Sequence, residues 1–326
     1  MKALNLREIV PASSTASRIG GKLWWGPMDI KRVARKLSQR HPRLNGVVDL
    51  GRIVWRAVTL PVRRGREQVF QNAKAVMPSD VNLEIAEYGG RFVLSKDSHI
   101  FRRFLLHGSY ESHLVEIVEK HLQDGVDFID VGANIGLFSI LAAKRSGDGR
   151  VLAVEPTANA CRYLRENVDK NRVGSRVHIF EGCIMDYSGT VTIHAIHGME
   201  EYSSTGPIDH PAATGRDTQA YSVPCTTLDE LIADHDVMPG LIKIDAEGAE
   251  MKIFEGAHNT LTDLRPVIVC ELSDALLENR GGSATKVIEF LEDHGYRVLE
   301  TEAPYRQARV HRFGEILALP PEVEDA

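Results

Sequence analysis

Residues 127–136 read DFIDVGANIG, and a short way on residues 151–156 read VLAVEP. A β-rich run that ends on an acid, turns through glycine and enters the helical run LFSILAAKR (137–145) has the form of a strand-to-helix turn at the carboxyl edge of a parallel sheet. A ligand can approach main chain there only where no side chain intervenes, which Gly132 and Gly136 permit. The turn is spaced D-x-G-x-N-x-G, with Asp130 two residues before the first glycine, and differs from the G-x-G-x-x-G that cradles a pyrophosphate.

Outward from this turn, short strand-like runs alternate with helical ones, which predicts a doubly wound α/β sheet. DFIDV, RVLAVE, RVHIFE, LIKID, PVIVCEL, YRVLETE and EILALP supply seven strands. Between them ANACRYLRENVDKN carries Cys161, Leu164 and Val168 along one side of a helix, and GAEMKIFEGAHNTL reads as one continuous helix. Thr227 and Glu230 are spaced as a capping box, while Ser283 opens and Gly295 closes a helix with Val287, Ile288 and Leu291 facing inward. Residues 183–225 interrupt the alternation with a hairpin, TVTIHAI against AYSVPC, around a Gly/Pro/Thr-rich loop. The expected organisation is a basic, mainly helical extension over 1–80, a lead-in with two strands and the helix SHLVEIVEKHL over 81–121, and a catalytic domain over 122–326 with its insertion at 183–225.

The chain has 326 residues, 43% hydrophobic and 26% charged, an ordinary globular composition. No apolar run approaches the about 18 residues of a membrane span, so a cytoplasmic location is the expectation. Cys161, Cys183, Cys225 and Cys270 form no C-x-x-C pair and read as reduced core thiols. Charge is uneven. Residues 1–80 hold 16 Lys/Arg against 5 Asp/Glu, net +11, and the rest 23 against 40, net −17.

An S-adenosylmethionine (SAM) ligand carries an ammonium, a carboxylate and a sulfonium but no phosphate, so its turn needs an acid near the amino group more than a nest of amides. Asp130 offers that acid, and the turn residues Gly132, Ala133, Asn134 and Gly136 the open backbone. Glu155, followed by Pro156 at the end of the second strand, is placed to accept both ribose hydroxyls, a device nicotinamide enzymes share. Gly182 and Cys183, after the third strand, would border the adenine, and Tyr110 and Glu111 either close over the cofactor or cap a helix.

These residues resemble the FkbM family of SAM-dependent methyltransferases over about 200 positions. The likeness runs from YGGRFVL (88–94) and HGSYE (107–111) through FIDVGANIGLFS (128–139), VLAVEP (151–156) and VPCTTLDELI (223–232) to LIKIDAEGAEMKIFEGA (241–257) and PVIVCEL (266–272). K-I-D-A-E-G-A-E is its most specific element. The resemblance implies the Rossmann-like class I methyltransferase fold, a mostly parallel seven-stranded sheet with helices on both faces. It also implies methyl transfer to hydroxyls of sugars, polyketides and other secondary metabolites. The basic N-terminal extension lies outside it.

In LIKID, alternation puts Lys243 and Asp245 on one side of the strand. Methyl transfer is an in-line displacement in which the acceptor oxygen must lose a proton, so a carboxylate at this strand's carboxyl end is a natural general base. Asp245 and Glu247 are the first candidates, Glu271 and Glu250 are further ones for base or metal ligand, and Lys243 reads either as a substrate contact or as a structural salt-bridge partner of Asp245 or a neighbouring acid. A divalent metal held by Asp245, Glu247 and Glu271 is the less favoured alternative. His194, His197 and His210 look like a metal cluster, but strand positions three apart face opposite sides.

The expected partner is a small hydroxylated acceptor, a sugar, glycolipid or secondary metabolite, with the 198–218 loop as its lid. The basic N-terminus, with Trp24 and Trp25 beside it, leaves open a peripheral membrane or lipid contact. Nucleic acid is disfavoured, since no D-P-P-Y or N-P-P-Y follows the fourth strand. The competing functions are a nicotinamide oxidoreductase, which lacks its G-x-G-x-x-G, and a catalytically silent SAM-binding module.

Overall fold

The computed structural model describes residues 77–196, 218–301 and 313–323, with Thr205 and short pieces of the first 75 residues (4–5, 17–19, 22–24, 70–71 and 74–75). Most of the mainly helical extension expected over 1–80, the side chains of Trp24 and Trp25, His197, His210 and nearly all of the proposed lid lie outside the described residues. The chain divides into two compact units, one of residues 1–85 and 94–110, the other of 86–93 and 111–326.

In the first unit a strand, Asp80–Ile85, precedes a helix, His99–His107, that the sequence pattern did not reveal. Ile100, Phe101 and Phe104 form its buried side, but Arg102 and Arg103 break up the apolar run in the sequence. The hydroxyl of Ser98 caps it by accepting from the Phe101 amide. Tyr110 sits in this unit, its ring 6.1 Å from that of Phe104.

The second unit is built on a seven-stranded sheet. Its strands are β1 Asp127–Val131, β2 Val151–Val154, β3 Val177–Phe180, β4 Pro239–Ile244, β5 Val267–Ser273, β6 Arg297–Glu300 and β7 Phe313–Leu319. The spatial order is β6-β7-β5-β4-β1-β2-β3; β3, β2, β1, β4 and β5 run parallel, and β7 is antiparallel to both neighbours. The order reverses between β1 and β4, and the crevice at the carboxyl ends of strands beside such a switch point is where open α/β sheets bind ligands.

The central strands are buried on both faces, as a sheet covered on both sides by helices requires. One face carries Ile129, Val131, Ile242, Ile244, Ile268, Cys270 and Leu272, which pack with Leu228, Leu231, Ile253 and Phe254. The opposite face carries Phe128, Asp130, Leu241, Lys243, Val269 and Glu271, so Asp130, Lys243 and Glu271 share one side of the sheet.

Helices α1 Leu137–Arg145 and α2 Ala158–Asn171 follow β1 and β2, and α3 Leu228–His235 precedes β4, its cap Thr227 accepting from the Glu230 amide at 3.1 Å. The hairpin of the insertion forms as expected, Gly189–Ile196 pairing antiparallel with Thr218–Thr226.

The continuous helix expected over 248–261 is broken. Helix α4 spans only Glu250–Glu255, and a π-helical turn follows at Thr260–Leu264. The cause is local: Gly256 lies so close to the main chain of Met185 that a Cβ there would come within 2.4 Å of its carbonyl oxygen. Asp229 then starts a new helical segment by accepting from the Asn259 and Thr260 amides, both at 2.8 Å.

Candidate active site

The site is assembled by strand register. Lys243 on β4 is the partner of Asp130 on β1 and of Val269 on β5, and Asp130 is the partner of Ala153 on β2. Pairing continues past the strand ends, since the Asp245 amide donates to the Val131 carbonyl at 3.0 Å and the Glu155 amide to that of Phe180 at 3.1 Å. Two residues along each strand, the same line therefore holds Glu155, Gly132, Asp245 and Glu271, and Glu271 is the partner of Glu315 on β7. A row of carboxylates thus crosses the carboxyl edge of the sheet on one face, with Gly132 as the opening in it.

Beneath this row lies a single ammonium. Lys243 is 4% exposed, its Nζ 3.3 Å from Asp245 Oδ2 and 5.2 Å from the centre of the Phe138 ring. Burial pulls the Lys243 pKa down, but Asp245, Asp130, Glu111 and Glu271 more than reverse it, so the side chain stays charged. The ion pair with Lys243 gives the Asp245 side chain a defined orientation.

The acids around it differ in state. Glu271 is pushed up to about 9, first by the charge of Asp245 and then by burial, with Glu111, Glu247 and Glu315 adding to both. It is a neutral carboxylic acid near pH 7 and can donate a hydrogen bond. For Glu315 burial acts upward, but His113, whose Nε2 is 3.1 Å away, more than offsets it and holds the carboxyl below its usual range. Among the described residues, no three histidine, cysteine, aspartate or glutamate side chains converge as a metal site requires.

The glycine turn has the expected shape and further constraints. Gly132, Asn134 and Gly136 have φ of +79°, +50° and +85°. A Cβ on Gly132 would lie 1.9 Å from the Asp245 carbonyl oxygen, and one on Gly136 would lie 2.5 Å from the Leu164 side chain. These glycines thus let neighbouring chain pack closely against the turn. Glu155 ties the turn down: its Oε2 accepts from the Asn134 amide at 2.8 Å, and its Oε1 from the amide and hydroxyl of Thr157.

Asp130 is 1% exposed, with Oδ2 accepting from the Ser139 hydroxyl at 2.5 Å and Oδ1 lacking a partner among the described residues. That orphaned acceptor beside the turn suits a cationic donor, and burial raises its pKa as it would for a group left waiting for one. Ala133 is buried and Pro156 half-buried in the same turn region. Gly182 is needed by packing, since a Cβ there would meet the Pro224 carbonyl at 2.5 Å, and Cys183 lies buried in register with Cys225.

Of the residues expected in the site, Lys243, Asp245, Glu271 and Asp130 come together, and Glu111 joins them through its charge. Glu111 also stands at the start of the helix Ser112–His121 with no side-chain capping bond. Glu247 occupies a left-handed backbone position, φ +49°, next to Asp245. Glu250 points into the backbone instead: its Oε1 accepts from the amides of Gly248 at 2.9 Å and Ala246 at 3.3 Å.

The structure adds residues that sequence reasoning missed. Ser139 orients Asp130. Asn167, fully buried on α2, binds both main-chain groups of Val93, and its Nδ2 also donates to the Ile135 carbonyl inside the glycine turn at 2.9 Å. The available signal was a polar residue on the apolar stripe of Leu164 and Val168.

Strand order, the glycine turn at the switch point, the acid closing the second strand and the orphaned Asp130 oxygen together define a class I SAM-dependent methyltransferase. Residues 130–298, just over half of the chain, match the methyltransferase FkbM domain, and the chain belongs to that family. Hexuronic acid methyltransferase AglP of Haloferax volcanii is 25% identical over 213 residues, 64% of this chain and 80% of that protein. The 31-O-demethyl-FK506 methyltransferase FkbM of Streptomyces tacrolimicus is 24% identical over 227 residues, 63% of this chain and 84% of its own length. A solved FkbM methyltransferase from Methylobacillus flagellatus aligns with a TM-score of 0.36 at 18% identity, covering 67% of this chain and 52% of that one.

Proposed function

We propose that this protein transfers the methyl group of SAM to a hydroxyl oxygen of a small metabolite, sugar or glycolipid. The observation that carries the reading is the carboxylate of Asp245, held 3.3 Å from the buried ammonium of Lys243 at the carboxyl end of the strand beside the glycine turn. When bound, SAM supplies an electrophilic methyl on positively charged sulfur. The 132–136 turn would hold its amino-acid end, with Asp130 Oδ1 as an acceptor for the ammonium, and Glu155 would accept from the ribose.

Asp245 takes the proton of the acceptor hydroxyl as the oxygen attacks, and Lys243 pairs with that side chain and aims it. Glu271, protonated near neutrality, and Glu247 hydrogen-bond neighbouring hydroxyls of the acceptor. Phe313 continues the same face of β7 beyond Glu315 and is 73% exposed, a flat apolar surface beside acids that suits a sugar ring. The two relatives named above act, by their names, on a hexuronic acid and on 31-O-demethyl-FK506, and the second name supports oxygen as the acceptor atom.

The test is incubation with SAM bearing a labelled methyl group and a fractionated extract, read by mass spectrometry with and without EDTA. Label in a base-stable methyl ether, insensitive to EDTA, supports the reading with Asp245 as base. Label lost on chelation transfers the role to a metal, and label in protein or nucleic acid only refutes the acceptor class. Among the described residues, no helix is long and apolar enough to cross a membrane. A lipid-linked acceptor would then be met at a membrane surface through the basic N-terminal residues.

A further inference from the structure

We propose that Glu250 is a positioning residue whose buried carboxylate locks the 245–248 turn against the cofactor's glycine turn, and so sets cofactor affinity together with the aim of Asp245. The inference rests on the methyltransferase reading above for its consequence, but not for its geometry.

The 245–248 turn is unusual in its backbone. Glu247 and Gly248 are successive residues in the left-handed region, φ +49° and +94°, a conformation that a non-glycine residue adopts only when its surroundings enforce it. The enforcing group is Glu250, which reaches back from the first position of α4 and takes the Gly248 and Ala246 amides on one oxygen. Glu250 is 2% exposed, and its Oε2 is buried without a hydrogen-bond partner among the described residues. A buried acid with half its acceptors unused is a poor source of stability, since its desolvation is only partly compensated. Geometry gives it a purpose.

On its other side the same turn bears on the cofactor site. The Asp245 carbonyl oxygen fills the space a Gly132 side chain would need, so the two turns are in main-chain contact. Gly248 is also confined, because a Cβ there would lie 3.0 Å from the Leu276 carbonyl oxygen. The 245–248 turn is thus bounded by Gly132 on one side and by Leu276 on the other. Loss of the Glu250 bonds would move the floor of the cofactor turn and rotate Asp245 off Lys243.

Two measurements on the full chain, with Glu250→Ala and Glu250→Gln, test this. Glutamine keeps one oxygen for both amides, removes the charge and puts an NH2 group at the buried Oε2 position. Hydrogen exchange of the Gly248 amide, read without cofactor, should quicken in Glu250→Ala and stay slow in Glu250→Gln. Calorimetry with SAM should then show a loss of about tenfold or more in Glu250→Ala, the scale of one hydrogen bond to a charged group, and near wild-type affinity in Glu250→Gln. If Glu250→Ala does not fold, Glu250→Gln decides, since a weak SAM affinity in a well-folded Glu250→Gln protein overturns the proposal. Unchanged Gly248 exchange in a folded Glu250→Ala protein overturns it as well. Wild-type protein that fails to bind SAM refutes the methyltransferase reading, while the exchange data still decide the structural role of Glu250.

Discussion

Gly132 and Asp245 lie on adjacent strands and meet through their main chains, the Asp245 carbonyl oxygen standing 1.9 Å from where a Gly132 Cβ would be. The cofactor turn and the acid that faces it are thereby fixed to one another. Gly132→Ala combines a left-handed φ of +79° with this overlap, and should cost about 3 kcal/mol or more of stability and abolish SAM binding. Urea unfolding and calorimetry on one preparation check both effects. Retained SAM affinity in Gly132→Ala would show that the turn is free of the neighbouring strand.

Asp245→Asn removes the base but keeps the size of the side chain and leaves the Gly132 contact untouched, because that contact is main-chain. SAM affinity should stay within about threefold of wild type while turnover falls by about 100-fold to 10,000-fold, the usual contribution of general-base catalysis. Single-turnover methyl transfer at saturating cofactor separates the two. Normal turnover would remove Asp245 from the chemistry.

Asn167→Ala tests the support behind the glycine turn. The substitution strands the buried Val93 amide and carbonyl and the Ile135 carbonyl, so a loss of about 2–4 kcal/mol is expected. A denaturant midpoint unchanged from wild type would contradict that.

The glycine turn, the strands and the pairing of Lys243 with Asp245 were legible because each follows from a local period of two or a local turn. The row of acids was legible only in part. Asp245 and Glu271 stand out at the ends of apolar runs, but Glu315 lies inside what reads as an ordinary final strand, and its place opposite Glu271 depends on register between strands far apart in sequence. Glu250 reads in the sequence as a further candidate acid, whereas its side chain folds back locally onto the Gly248 and Ala246 amides, a contact no periodicity announces. The broken helix after Glu255 was hidden because Gly256 is tolerable in a helical pattern; its contact with Met185, rather than propensity, ends the helix.

Burial of carboxyls also makes stability pH-dependent, with a definite sign. Glu250 and Glu271 are raised to about 7 and about 9, so between the unfolded carboxyl range and those values the folded state holds protons that the unfolded state has released. Stability therefore falls as pH rises through that window. Glu271→Gln should be close to neutral at pH 5 and raise Tm by a few degrees at pH 9, the shift that about 1 kcal/mol produces in a domain of this size. Equal effects at both pH values would show that Glu271 is ionised in the folded protein at neutrality.

The central claim is that SAM binds at the switch point of the sheet with its methyl group directed at Asp245. A crystal structure with S-adenosylhomocysteine tests it most directly. It should show the amino-acid end over the 132–136 turn, the ribose hydroxyls on Glu155 and the sulfur facing the Asp245 carboxylate. A nucleoside bound elsewhere, or a sulfur turned away from Asp245, would contradict the account.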